Sequence, residues 1–257
     1  MMLRIATILL LFCAQSAYSQ AIEFVRPIGS VAHLLSIRQE QNLERTLGEL
    51  FPARTLRRSA RGIGKITEER ITYDVLKQHG AKYAIVIFTG SWKQEVCQLA
   101  IFRIEAGGYP APLHHSKCWQ SNYADSYHEI QSRGFGKESV VLIKEGENGS
   151  SPFVIASVFT FRERKGSEGN PSSCSINDLT PMLPRLKALV DFPLKALYGQ
   201  AVKLEKYPDH LRLQAADVEL SWNKSNAAKS IKFWNYEKPS RKFVLTNEES
   251  VPVVDGR

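Results

Sequence analysis

Short runs of β-forming apolar residues, each followed by a polar stretch and then a second such run, constrain this chain more than any other feature. Tyr83-Ala84-Ile85-Val86-Ile87-Phe88 is the clearest. A polar connection from Thr89 to Glu95 follows it, then a second run from Val96 to Ile104. The layout recurs as Ser139 to Ile143, a Glu145 to Pro152 turn region, and Phe153 to Arg162. A weaker third unit is Asp217 to Trp222, a polar Asn223 to Lys229 stretch, and Ile231 to Tyr236, with Lys242 to Thr246 as a further strand. Short apolar runs bounded by turn residues read as strands, and paired runs read as β-hairpins. The irregular spacing of the units argues against a regular array. They predict divergent hairpins in one antiparallel sheet system.

The flanking segments have a different rhythm. In residues 20–80, Val31 to Ile37 and Leu43, Leu47 and Leu50 carry apolar residues at helical spacing, and Phe51-Pro52 ends the run. A short helix is expected from Glu68 to Gln78, stopped by His79-Gly80. A further helix is expected at residues 178–198, with Asp178 as its cap and Phe192-Pro193 near its end. The fold class is therefore α+β. Its expected parts are a leader at 1–19, a helical segment at 20–80, an antiparallel β domain with an inserted helix at 81–247, and a frayed tail at 248–257.

The leader is read from three consecutive signals. Arg4 supplies a positive start, Ile5 to Ala14 an uncharged apolar run, and Ala17-Tyr18-Ser19 small residues at −3 and −1 before Gln20. That order is the signal-peptide pattern, and the run falls short of the ~20 residues a membrane helix needs. Phe12 before Cys13 argues against lipid attachment. No later stretch is apolar enough to span a membrane, so an exported, soluble, periplasmic or secreted product is expected. Cleavage removes Arg4 alone, leaving 33 basic and 26 acidic residues, a charge of +7.

Export reshapes the cysteine argument. Cys13 leaves, and Cys97, Cys118 and Cys174 remain. In an oxidising compartment this predicts one disulfide and one spare thiol. If Glu105 faces Pro110 across the Ala106 to Tyr109 turn, Cys97 lies opposite Cys118 at a separation a disulfide can span. A one-residue slip would put the two on opposite faces, and Cys118–Cys174 is the competing pair.

No strong catalytic signature is present. The chain lacks a Gly-x-Ser-x-Gly elbow, a His-Glu-x-x-His helix, a phosphate loop and a dinucleotide fingerprint, so no cofactor is expected. His114, His115, Cys118, Asp125 and His128 contain metal-ligand chemistry, but adjacent strand residues point to opposite faces, and no metal site is assigned. Cys174 with a histidine base is a second catalytic option, for which no pKa-lowering environment is legible.

Binding residues are easier to nominate. Arg54, Arg57, Arg58 and Arg61 make the densest basic patch, suited to an anionic polymer or an acidic protein. Trp92, Trp119 and Trp222 fall at strand ends or connections, where large aromatics anchor interfaces. The leading expectation is a non-enzymatic exported protein that binds another protein, such as an inhibitor or immunity factor, with no role for nucleic acid. The alternatives are a binder of an anionic small molecule or cell-wall polymer through the arginine patch, and a hydrolase built near His114, His115 and His128.

Overall fold

The computed structural model of the 257-residue chain describes residues 22–26, 34–51, 68–91, 95–116, 118–120, 126–147, 154–166, 172–179, 202–219 and 227–250. Among these residues it is mostly β, with one α-helix and three sheets. The first sheet holds β1 (Glu23–Val25), β2 (Glu68–Gln78), β3 (Ala81–Ser91), β4 (Glu95–Ile104) and β5 (Pro110–His115) in that order, with β6 (Trp119–Gln120) also on β4. The second runs β10 (Ser173–Asp178), β9 (Val154–Arg164), β8 (Glu138–Glu147), β7 (Ser126–Phe135). The third runs β11 (Val202–Lys206), β12 (Leu211–Glu219), β13 (Ala227–Glu237), β14 (Lys242–Ser250). All pairings are antiparallel except β1 with β2. The helix α1 (Ile37–Leu50) precedes β2.

Three core clusters show how these pieces stack. Leu43 and Leu47 of α1 pack with Ile71, Tyr73, Val75, Val86 and Phe88 on one face of the first sheet. The other face, through Leu76, Ile85, Ile87, Cys97 and Ile101, packs on Ile130, Val141, Ile143, Phe159 and Phe161 of the second sheet. The far face of the second sheet, through Val140, Leu142 and Val158, packs on Leu204, Leu211, Leu213, Trp234 and Tyr236 of the third. The layers therefore run helix, first sheet, second sheet, third sheet. This explains the continuous apolar runs: β3 and β8 are buried on both faces, so the alternation of a one-sided sheet is lost.

The helix begins where local chemistry says it should. Ser36 accepts a bond from the Gln39 backbone N–H, and the Gln39 side chain accepts from the Ser36 N–H, a reciprocal capping box. Leu43 and Leu47, one turn apart, are fully buried, and Phe51 closes the helix with its N–H on Gly48 O.

Four expectations need correction. Residues 68–78 form strand β2, not a helix. Ile71, Tyr73 and Val75 alternate with period two and face α1, and β-formers favour that surface. His79 (φ 49°) and Gly80 (φ 77°) form the tight left-handed turn into β3, not a helix stop. The sheets number three among the described residues, because the second packs the first on one face and the third on the other, so the meanders stack rather than share one plane. Asp178, expected to open a helix, is the last residue of β10; the Leu179 N–H bonds Val158 O beside it, and residues 180–200 lie outside the described residues. Glu248 to Ser250, expected to fray, belong to β14 and pair with β13.

Polar side chains also join the layers. Gln78 Nε2 donates to Glu138 O at 2.6 Å and to Gly136 O at 3.0 Å, joining the first and second sheets. Glu138, almost wholly buried, meets both Arg162 and Arg241, joining the second sheet to the β13–β14 turn.

Candidate functional site

One reactive cluster lies between the first two sheets. Cys97 of β4 has its Sγ 3.7 Å from His128 Nε2 of β7. The same nitrogen lies 3.7 Å from Glu145 Oε2 of β8, and Thr89 Oγ1 of β3 lies 3.9 Å from the thiol. Cys97 is fully buried, and the His128 side chain shows no exposed surface. The residue types are those of a thiol–base–carboxylate relay, but the geometry differs. A relay needs one imidazole nitrogen on the nucleophile and the other held by the orienting acceptor. Here both neighbours meet Nε2, while Nδ1 is buried with no hydrogen-bond partner. A substrate has no surface of Cys97 to reach. The cluster supports a layer-joining role better than acyl transfer.

Register explains why the sequence paired Cys97 differently. Glu105 N–H bonds Tyr109 O, and Ile104, not Glu105, faces Pro110. The ladder shifts between Ile101 and Phe102, so that Ile101 faces His114. Beyond β5 the partner strand becomes β6, and Cys97 faces Trp119. Cys118 is thus one residue out of register and packs on the α1 side of the sheet, while Cys97 packs toward the second sheet. Cys97, Cys118 and Cys174 all carry thiols, so the expected Cys97–Cys118 disulfide is not formed.

The remaining nominated residues separate. Arg54, Arg57, Arg58, Arg61, Trp92 and Trp222 lie outside the described residues, and Trp119 is described only as a member of β6. His114 is half-buried on β5, where burial and then the neighbouring His115 lower its pKa; His115 is exposed. Neither joins His128. Cys174 is half-buried on β10, and burial, then the nearby Glu163 carboxylate, push its thiol up to about 11. A catalytic thiol needs the opposite shift. Among the described residues no group of three His, Cys, Asp or Glu side chains is arranged to hold a metal ion.

The outer face of the third sheet carries a different arrangement. The β11–β12 turn, closed by Tyr207 N–H on His210 O, sets Tyr207 and His210 side by side. Their rings stack 4.5 Å apart at 4°. The Arg212 guanidinium sits 4.8 Å from the Tyr207 centroid and 5.4 Å from that of Phe233 on β13. His210, Tyr207, Arg212 and Phe233 thus form a row of planar groups, each against the next. Tyr207 donates to Glu205, which also pairs with Lys203 at 2.8 Å, and His210 Nδ1 lies 2.7 Å from Asp209. His210 Nε2, Arg212 Nε and Asn235 Oδ1 are shielded from solvent without hydrogen-bond partners. The row exists because Leu204, Leu211, Leu213 and Trp234 point into the core, which turns their strand neighbours outward. Sequence reading missed it by weighting tryptophans; the available signal was the alternation of Leu211 and Leu213 with Arg212 and Gln214.

Comparison with protein-family models, with curated proteins and with solved structures finds no match in any of the three.

Proposed function

We propose that this chain is an exported, non-catalytic protein that binds another protein through the outer face of its third sheet. The observation that carries the reading is the row of His210, Tyr207, Arg212 and Phe233, all half-exposed along the third sheet and its β11–β12 turn. Tyr and Arg dominate the hot spots of protein interfaces, because they bring large contact area with few rotatable bonds and a polar handle. Holding Arg212 between two rings before any partner arrives lowers the ordering cost of binding. The burial of Cys97 and the one-sided contacts of His128 support a non-catalytic role. The order of charge, apolar run and small residues at the amino terminus supports export.

The test is affinity capture from an envelope extract with the intact chain and with Arg212→Ala and Phe233→Ala. The expected result is one partner protein, identified by mass, held by the intact chain and lost by both variants at unchanged melting temperature. Equal recovery by all three forms would remove the third-sheet face as the interface. Sequencing the amino terminus of the recovered protein checks export, with Gln20 expected as the first residue.

A further inference from the structure

The three-layer stack gathers basic residues from distant parts of the chain at one of its ends. The first sheet contributes the His79-Gly80 turn, the second the Gly136-Lys137 turn, and the third the Lys238 to Arg241 turn. Direct contacts lock these three turns together. His79 Nε2 and Gln78 Nε2 both meet Gly136 O, Lys238 Nζ sits 4.2 Å from the Phe135 ring centroid, and Arg241 reaches Glu138 at 3.1 Å. Lys77 beside the first turn, Lys137, Lys238 and Lys242 are exposed, and the Arg162 and Arg241 side chains are 46% and 43% exposed. The carboxylates in these turns are Glu138 and Glu237, with Asp209 exposed on the adjoining β11–β12 turn. Glu138 is buried beneath its two arginines, so little of its negative potential reaches the surface.

We infer that this end of the stack is a binding site for a linear polyanion bearing sulfate, phosphate or carboxylate groups. Packed sheets lie ~10 Å apart, so cations drawn from three successive layers form a stripe roughly 20 Å long. One small anion reaches only part of such a stripe, whereas an extended polymer neutralises it along its length and releases counterions from each contact. A membrane surface is the poorer fit. Stable interfacial attachment combines basic residues with inserted apolar ones, and no exposed large apolar side chain lies in the three turns. An acidic protein is also the poorer fit, because the turns expose lysines but no aromatic anchor. This site borders the proposed protein-binding face at the β11–β12 turn but is built from different residues and does not depend on it.

The experiment uses the full chain and heparin as the probe polyanion, in low and rising salt. Lys137→Glu with Lys242→Glu changes two exposed residues and leaves the Lys238–Phe135 and Glu138 contacts in place. Lys203→Glu with Lys206→Glu on β11 is the control for net charge, and Arg57→Glu with Arg58→Glu tests the arginine-rich segment. The site predicts at least about a tenfold loss of heparin affinity for the first pair, a shallower salt dependence, and little change for the control pair. It also predicts affinity that grows with heparin length up to the span of the stripe. Equal losses for the first and control pairs would overturn it, as would loss confined to the Arg57/Arg58 pair. Inorganic sulfate competing as well as long heparin, or tighter capture by anionic vesicles than by heparin, would overturn it too.

Discussion

Asp74 of β2 accepts hydrogen bonds from the backbone N–H of Ser132 on β7, at 3.0 Å, and from the Ser132 hydroxyl. One carboxylate so ties the first sheet to the second inside a mostly apolar layer, and it also accepts the Val75 N–H at 2.9 Å. Asp74→Ala leaves these donors buried without an acceptor. Each unsatisfied buried group costs about 1–3 kcal/mol, so urea denaturation should show a loss of at least that size.

The same carboxylate sets a pH dependence. Burial raises its pKa above the ordinary value, opposed by the Ser132 bonds and by Arg133. The folded state then holds the proton more tightly than the unfolded one. This contribution to stability is greatest below the unfolded pKa, and declines as pH rises through the raised folded value. In Asp74→Asn that decline should be absent when melting temperature is followed upward from about pH 4, the unfolded carboxyl range.

Cysteine chemistry gives an independent check on register. In the folded chain, Cys97 should resist alkylation, because it is fully buried, while Cys174 should react slowly at neutral pH. Its thiol titrates at about 11, so its rate should climb about tenfold per pH unit below that value. Non-reducing mass mapping should recover no Cys97–Cys118 peptide. Recovery of that peptide would contradict the placement of Cys97 opposite Trp119.

The β2–β4 layer also depends on α1. Leu47 is fully buried against the first sheet, and Leu47→Ala should cost about 2–5 kcal/mol in a denaturant titration. Ile37, 77% exposed on the same helix, should tolerate alanine within about 0.5 kcal/mol.

How much of this was legible in the sequence depended on burial. Strands β3, β4 and β8 announce themselves as apolar runs because both faces are covered, and α1 does so through Leu43 and Leu47. Strand β2 was hidden by Asp74 and Gln78, whose polarity makes sense only once Ser132 and Glu138 face them across the layer. Nothing local in β7 predicts that Ser132 takes that part. The Cys97 pairing failed through the one-residue slip between Ala100–His115 and Cys97–Trp119, where the partner changes from β5 to β6, an irregularity with no propensity signal. The candidate sites were least legible. The row from His210 to Phe233 joins β12 to β13, and the basic end joins three turns, so both arise from packing between segments far apart in the chain.

The most direct test of the binding face places a photo-cross-linking residue at Gln214, which lies on the outer side of β12 beside Arg212, and another at the exposed Ile37 of α1. After illumination in an envelope extract, the account predicts one covalent protein adduct at position 214 and none at position 37. An adduct at position 37 with none at 214 would contradict it.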